Sequence, residues 1–284
     1  MPVRAALICT MAMGAAAALA LAGWTGGIAA PSSVLRSVDK NPNATAVDVE
    51  LVLAVDVSYS MDPDEQALQR EGYIIGITSR EFMQALRSGI NGKAAMTYFE
   101  WAGPSDQTII VPWRLIDGAE AADAFADEIA RAPYRRASRT SISGALNFAA
   151  PLFDGSGFRG FRRVIDVSGD GANNSGPLVT VARDAVLAAG TTINGLPIVL
   201  KRPSSFSMDI ENLDIYYEDC VIGGPGAFVV AIREREQFKE ATRTKLVLEV
   251  AGRTPRRPVL PAQARTPRIS CTVGEQMWRD RWGN

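Results

Sequence analysis

Three oxygen-bearing side chains leave one apolar stretch in alternation. In ELVLAVDVSYS, residues 50–60, the run Leu51–Val55 is followed by Asp56, Ser58 and Ser60. A near-continuous apolar run is the pattern of a parallel strand covered on both faces. In open α/β sheets, ligands bind beyond the carboxyl ends of such strands. One carboxylate and two hydroxyls offer a hard cation oxygen donors without the charge of an all-carboxylate cage. Mg2+ takes oxygen ligands at roughly 2.0–2.1 Å and keeps several waters, so this half-shell needs completion from elsewhere in the chain. Two later segments offer it: Thr140 in RTSISGAL and Asp170 in VIDVSGDGANN. Taken alone, D-x-S-x-S is also a spacing that capping and turn chemistry uses.

The combined set, D-x-S-x-S, then Thr-x-x-x-x-Ala-Leu, then Asp-Gly after a strand, resembles the von Willebrand factor A (VWA) family over about residues 46–250. In that family these residues form a metal-ion-dependent adhesion site. The resemblance implies Asp56, Ser58, Ser60, Thr140 and Asp170 as ligands of Mg2+, with Mn2+ or Ca2+ as alternatives. It also implies a coordination position left for a Glu or Asp of a protein partner. VIDVSGDG and DCVIGGPGAFV are similar to a bacterial subgroup of secreted VWA-like proteins of unknown function. Two positions depart from the family pattern. Glu100 stands near the end of the second strand, where a small polar residue is usual. It reads either as an acceptor for metal-bound water or as a solvated strand-end carboxylate. Ser138-Arg139 precede Thr140 where glycines are common. Arg139 reads as steering a partner's carboxylate or as pairing with a local acid.

Several function classes fall away. The chain has no histidine, which removes Ser-His-Asp catalysis, His-ligated zinc and an imidazole proton relay. Its formal net charge of −1 gives no bulk electrostatic reason to expect a nucleic-acid partner. The Gly223–Gly226 cluster lacks the lysine of a phosphate loop and leads into a strand. A metal-dependent phosphatase using Asp56 as nucleophile is the alternative to a binding module. Phosphatases of the haloacid-dehalogenase type place a second Asp two residues on as general acid. Here Ser58 stands there, a poor proton donor near neutral pH.

The elements that must position these groups read as one α/β domain. Residues 1–30 form an export signal, with Arg4 before an Ala/Leu-rich run and small residues after it. This implies a periplasmic or secreted protein, and membrane attachment only if the segment stays uncleaved as an anchor. Residues 31–46 read as a linker and 47–250 as the VWA-like domain. Strands are expected at 51–55, 93–101, 107–113, 161–168, 192–200 and 227–232. They imply a doubly wound, mainly parallel six-stranded sheet, order 3-2-1-4-5-6, with helices on both faces. Asp62 and Pro63 open a helix expected over about 64–86, with Leu68, Ile75, Phe82 and Leu86 on one face. Residues 251–284 form a Pro/Arg-rich tail whose proline density argues against packed structure. With the leader removed, Cys220 and Cys271 are the remaining cysteines. In an oxidising compartment they suggest one disulfide, with two separate thiols as the other reading.

Overall fold

The computed structural model describes residues 43–201, 207–254 and 268–283. The expected leader, residues 1–30, lies outside them, as does most of the expected linker. The first strand, β1 (Thr45–Asp56), is buried continuously from Val47 to Asp56. The cause is its central place: β2 (Ala94–Trp101) and β4 (Phe158–Gly169) pair with it in parallel, one on each side. β3 (Gln107–Ile116) lies antiparallel outside β2, as its closeness in sequence implies. It carries Pro112, which an edge strand tolerates because one face of its ladder is unpaired. β5 (Thr192–Pro197) is parallel to β4, giving the order β3-β2-β1-β4-β5.

The sheet therefore has five strands, and the expected sixth is a correction. Residues 227–232 run beside β5, but they form no regular ladder with it, only isolated bridges of Val229 with Gly195 and of Ile232 with Ile198 just past the strand. Two features of β5 prevent a regular ladder. The Asn194 side chain takes the Phe228 N–H at 3.1 Å, and Pro197 has no N–H to give.

Helices cover both faces. One core lies between the sheet and α1 (Pro63–Thr78), α2 (Arg80–Arg87), α3 (Ala119–Arg131) and α7 (Phe238–Ala251), filled by Tyr73, Ile77, Phe82, Phe125 and Leu246. The other lies under α4 (Ile142–Ala149), α5 (Val179–Ala188) and α6 (Leu213–Tyr216), filled by Ile142, Leu146, Val186 and Tyr216. The single helix expected over 64–86 is two. Ser79 leaves the helical region at φ −69°, ψ 150°, and its hydroxyl accepts from Phe82 N at 3.1 Å, capping α2. The apolar stripe changes with the break. Phe82 and Leu86 are buried, but Tyr73 and Ile77 replace Leu68 and Ile75, which stay half-buried. Gly72 and Gly76 let α7 close on α1: a Cβ at Gly76 would meet Leu246 Cδ1 at 2.7 Å.

The tail also departs from expectation. Residues 255–267 lie outside the described residues, but Val273–Trp282 form a helix, α8. The four prolines of the tail all precede Arg268, so the segment beyond them is free to coil. Cys220 and Cys271 form a disulfide with Cα atoms 5.4 Å apart, 51 residues apart in sequence. Closing a loop of that length removes unfolded-chain entropy corresponding to about 4 kcal/mol in the loop-closure model.

Asp166, whose partner the sequence leaves open, lies within β4 and is fully buried. Lys245 Nζ stands 2.5 Å from its Oδ1 and 2.6 Å from Glu249 Oε1. Tyr73 Oη reaches Asp166 Oδ2 at 3.4 Å, and Asn194 Nδ2 donates to Glu249 Oε1 at 3.1 Å. The Lys245–Asp166 approach is poorly aimed for a hydrogen bond and acts as an ion pair. Two carboxylates thus share one ammonium away from water. Burial, then the charge of Asp166, pushes the Glu249 carboxyl up to about 7. The folded state therefore holds a proton that the unfolded chain releases near the ordinary carboxylate pKa. That stabilisation is complete at pH values below about 4.5 and is lost as pH rises through about 7. Urea unfolding is expected to show stability falling between pH 5 and pH 8, by on the order of 2 kcal/mol from this group. In Glu249→Gln the fall should be visibly smaller; an unchanged pH slope would remove Glu249 as its source.

Candidate metal centre

The adjacent carboxyl ends of β1 and β4 bring Asp56 and Asp170 to one place. Asp56 is the last residue of β1, and Gly169 ends β4 just before Asp170. Past Asp56 the chain folds back on its own side chain: Ser58 N–H donates to Asp56 Oδ1 at 2.7 Å, an Asx-type turn. Asp62 then caps α1 by accepting from Glu65 N at 2.8 Å, while Glu65 Oε2 accepts from Asp62 N at 3.0 Å. The serine loop is therefore fixed at both ends.

The segment before Thr140 runs alongside it. Tyr59 N donates to Ala137 O at 2.9 Å and Ala137 N to Val57 O at 3.1 Å. Arginines stitch this basic loop to the body: Arg136 donates to Tyr59 O and Met61 O, both at 2.7 Å, and Arg70 to Ala132 O at 2.6 Å. Glu100 sits beneath Arg70 at 2.5 Å with both side chains buried. Its solvated reading is thus corrected: the carboxylate anchors the guanidinium that holds the loop. Burial raises its pKa, and Arg70 opposes that rise. Glu100 and Asp56 also line one narrow internal space of about 10 Å³. Arg139 has φ +75°, the left-handed conformation that glycine usually supplies. A residue with a Cβ is strained in that conformation, and here an arginine takes it. Its guanidinium lies 3.4 Å from the Trp278 ring centroid, so of its two expected roles the pairing with a local acid gives way to an aromatic face.

Thr140 is bracketed by Asn174, whose Oδ1 accepts from Thr140 N at 3.0 Å and whose N–H donates to Thr140 O at 2.9 Å. Thr140 Oγ1 faces Gly171. The hydroxyls form a chain. Ser60 Oγ donates to Asp170 Oδ1 at 2.6 Å, which leaves Ser58 Oγ as donor to Ser60 Oγ at 2.7 Å. Four of the five expected residues are linked to a neighbour in the set by these bonds, and Thr140 and Ser58 share a cleft with Ser60 and Gly171.

The electrostatics are strained. Burial, and next the charge of Asp170, raises the Asp56 carboxyl well above its ordinary value. Burial raises Asp170 as well, opposed by Lys201 and Ser60. Asp56 Oδ2 is buried and has no hydrogen-bond partner among the described residues. A buried carboxylate oxygen beside a second carboxylate calls for a cation, so the donor set fits a hard divalent ion. Among the described residues no group of three or more Asp, Glu, His or Cys is arranged to hold a metal, here or elsewhere, so this set of two carboxylates depends on its hydroxyls for the remaining donors.

Several site residues escape the sequence reading. Lys201 Nζ reaches Glu65 Oε2 at 2.6 Å, Asp170 Oδ2 at 3.1 Å and the Ser60 carbonyl. Nothing local marks it, because its partners lie 31 to 141 residues away. Helix α8 walls the cleft, about 500 Å³, with Trp278, Arg281 and Trp282. It docks through Asn173, whose Nδ2 donates to Glu275 Oε1 at 2.8 Å and whose carbonyl a Cβ at Gly274 would meet at 2.2 Å. The Asn-Asn that follows Asp170-Gly171 is the one legible signal for this.

The family model described as Protein of unknown function (DUF1194) matches residues 46–254. The chain belongs to that family. No curated protein matches its sequence. Among solved structures, this DUF1194 chain is similar to the pilus adhesin SpaC of Lactobacillus rhamnosus GG in its open conformation. The TM-score is 0.55 at 13% identity, over 72% of this chain and 30% of that one. It is also similar to proximal thread matrix protein 1 of the mussel byssus, at TM-score 0.51 and 14% identity, over 73% and 49% of the two chains. A von Willebrand factor type A protein of Catenulispora acidiphila aligns at TM-score 0.49 and 15% identity, over 73% and 43%. The DUF1194 chain spans less than half the length of each, and at these identities the likeness is one of fold.

The close approach at Gly169 gives a test of the site's geometry. A Cβ there would lie 2.7 Å from Asp56 Oδ2 and 3.1 Å from Tyr217 Oη. Gly169→Ala is expected to displace the Asp56 carboxylate and destabilise the protein by about 1–3 kcal/mol in denaturant unfolding. Wild-type stability in that variant would show that the carboxylate is not confined as described.

Proposed function

We propose that this protein is an exported, non-enzymatic binding module that holds a divalent cation and engages a protein partner through it. Asp56, Ser58, Ser60, Thr140 and Asp170 would hold Mg2+, or Mn2+ or Ca2+ in its place, the carboxylates directly or through water. The bound ion would supply a Lewis-acidic position for a Glu or Asp carboxylate of the partner. The observation that carries this reading is the buried, unpartnered Asp56 Oδ2 beside Asp170, with the Ser58 and Ser60 hydroxyls chained onto Asp170 and able to donate to a carboxylate or to ligate a cation. The disulfide accords with an oxidising compartment, and the leader-like residues 1–30 accord with export. No helix among the described residues is long and apolar enough to cross a membrane. A pilus adhesin among the fold neighbours fits a role in engaging other proteins.

The hydrolase alternative gains nothing from the geometry. Ser58 occupies the place of the general acid and spends its hydroxyl on Ser60. Burial raises the Asp56 pKa, which works against a free carboxylate nucleophile.

Binding of an ion to the folded state alone raises the melting temperature by mass action. Millimolar Mg2+ or Mn2+ should raise Tm in the wild type by several degrees, at about 2–4 °C per kcal/mol for a domain of this size. Asp56→Ala should fold, held by the apolar residues of β1, and lose that increment. An equal shift in both proteins, or none in either, would contradict the reading.

A further inference from the structure

The cation nearest the candidate ligands belongs to the chain itself. Lys201 follows β5, and its ammonium contacts Asp170 Oδ2, Glu65 Oε2 and the carbonyl of Ser60, whose hydroxyl binds the other oxygen of Asp170. Glu65 and Asp170 are almost wholly buried, whereas 31% of the Lys201 side chain is exposed. Two buried carboxylates therefore share the one positive charge of a group that can reach solvent. Lys201 leaves Asp56 Oδ2 without a partner, so it covers the Asp170 half of the site and not the Asp56 half.

Resting on the metal-binding reading above, we propose that Lys201 is a tethered counter-ion of this site, which a divalent ion must displace from Asp170 in order to bind. An ammonium and a dication cannot share one carboxylate a few ångströms apart without repulsion that outweighs a tenfold change in affinity. The long, flexible and partly exposed stem allows the ammonium to swing into the cleft, which Lys201 also lines. The consequence is a site that is stable without metal and binds it weakly, with Lys201 setting the affinity. Glu65 acts here as a positioning residue: bonded to both Asp62 N and Lys201, it fixes the ammonium against the start of α1.

The test is Mn2+ binding by calorimetry, with thermal unfolding in chelator, on the wild type, Lys201→Gln and the double variant Lys201→Gln/Glu65→Gln. Lys201→Gln removes the charge while keeping a hydrogen-bond donor. The double variant also removes the carboxylate left unpaired, so that one of the two remains folded. Both are expected to bind Mn2+ at least about tenfold more tightly than the wild type. In chelator, Lys201→Gln should melt lower than the wild type, and saturating Mn2+ should close that gap. Wild-type binding with unchanged or weaker affinity in both variants overturns the counter-ion role and leaves the metal reading standing. Absence of Mn2+ binding in all three proteins overturns both.

Discussion

Two carboxylates buried at the ends of neighbouring parallel strands are the constraint around which this molecule is arranged. Asp56 and Asp170 could not approach each other if β1 and β4 were not adjacent, and the parallel sheet makes them so. Once there, burial raises both carboxyls above their ordinary values, and the charge of Asp170 raises Asp56 further. The surrounding polar groups answer that problem. Ser58 donates to Ser60 and Ser60 to Asp170, Ser58 N–H holds Asp56 Oδ1, and Lys201 supplies positive charge to the other oxygen of Asp170. Even the face of α1 that meets the sheet departs from an apolar stripe here: Glu65, Gln69 and Arg70 are buried to serve Lys201, Ser168 and Glu100.

A second set of contacts turns the tail into part of the same end of the molecule. The disulfide fixes Cys271 beside the π-helical turn that holds Cys220, and α8 then lies over the loop that follows Asp170. Asn173 links the two, donating to Glu275 on one side and accepting from Ser143 N on the other, at the start of α4. Trp278 stacks on Trp282 at 4.0 Å and covers Arg139, whose left-handed backbone turns the chain into Thr140. The cleft thus has a hydroxyl floor from the domain and an aromatic, basic wall from the tail.

Much of this was legible in the residues. The apolar run before Asp56, the Asp62-Pro63 helix start and the order of the first five strands follow from local pattern and connection rules, and the structure has them. The sixth strand was not legible as an irregular segment, because its cause is a side chain, Asn194, competing for a backbone N–H across the sheet edge. The break at Ser79 was hidden because a serine is compatible with either a helix interior or a cap until tertiary packing chooses. Lys201 and α8 were invisible for one shared reason: their effect on the site depends on contacts across long stretches of chain, and no periodicity reports those. Composition misled at the tail, where four prolines before Arg268 disguised an ordinary helix after it.

The central claim is that the hydroxyls of Ser58, Ser60 and Thr140, with Asp56 and Asp170, surround a cation position. Anomalous diffraction from crystals soaked in Mn2+ tests this most directly, because it locates the ion without relying on stability or activity. One anomalous peak is expected within direct coordination distance of Ser58 Oγ and Ser60 Oγ, with Lys201 Nζ moved away from Asp170. A crystal saturated with Mn2+ that shows no peak there, and Lys201 still seated on Asp170, would contradict the claim.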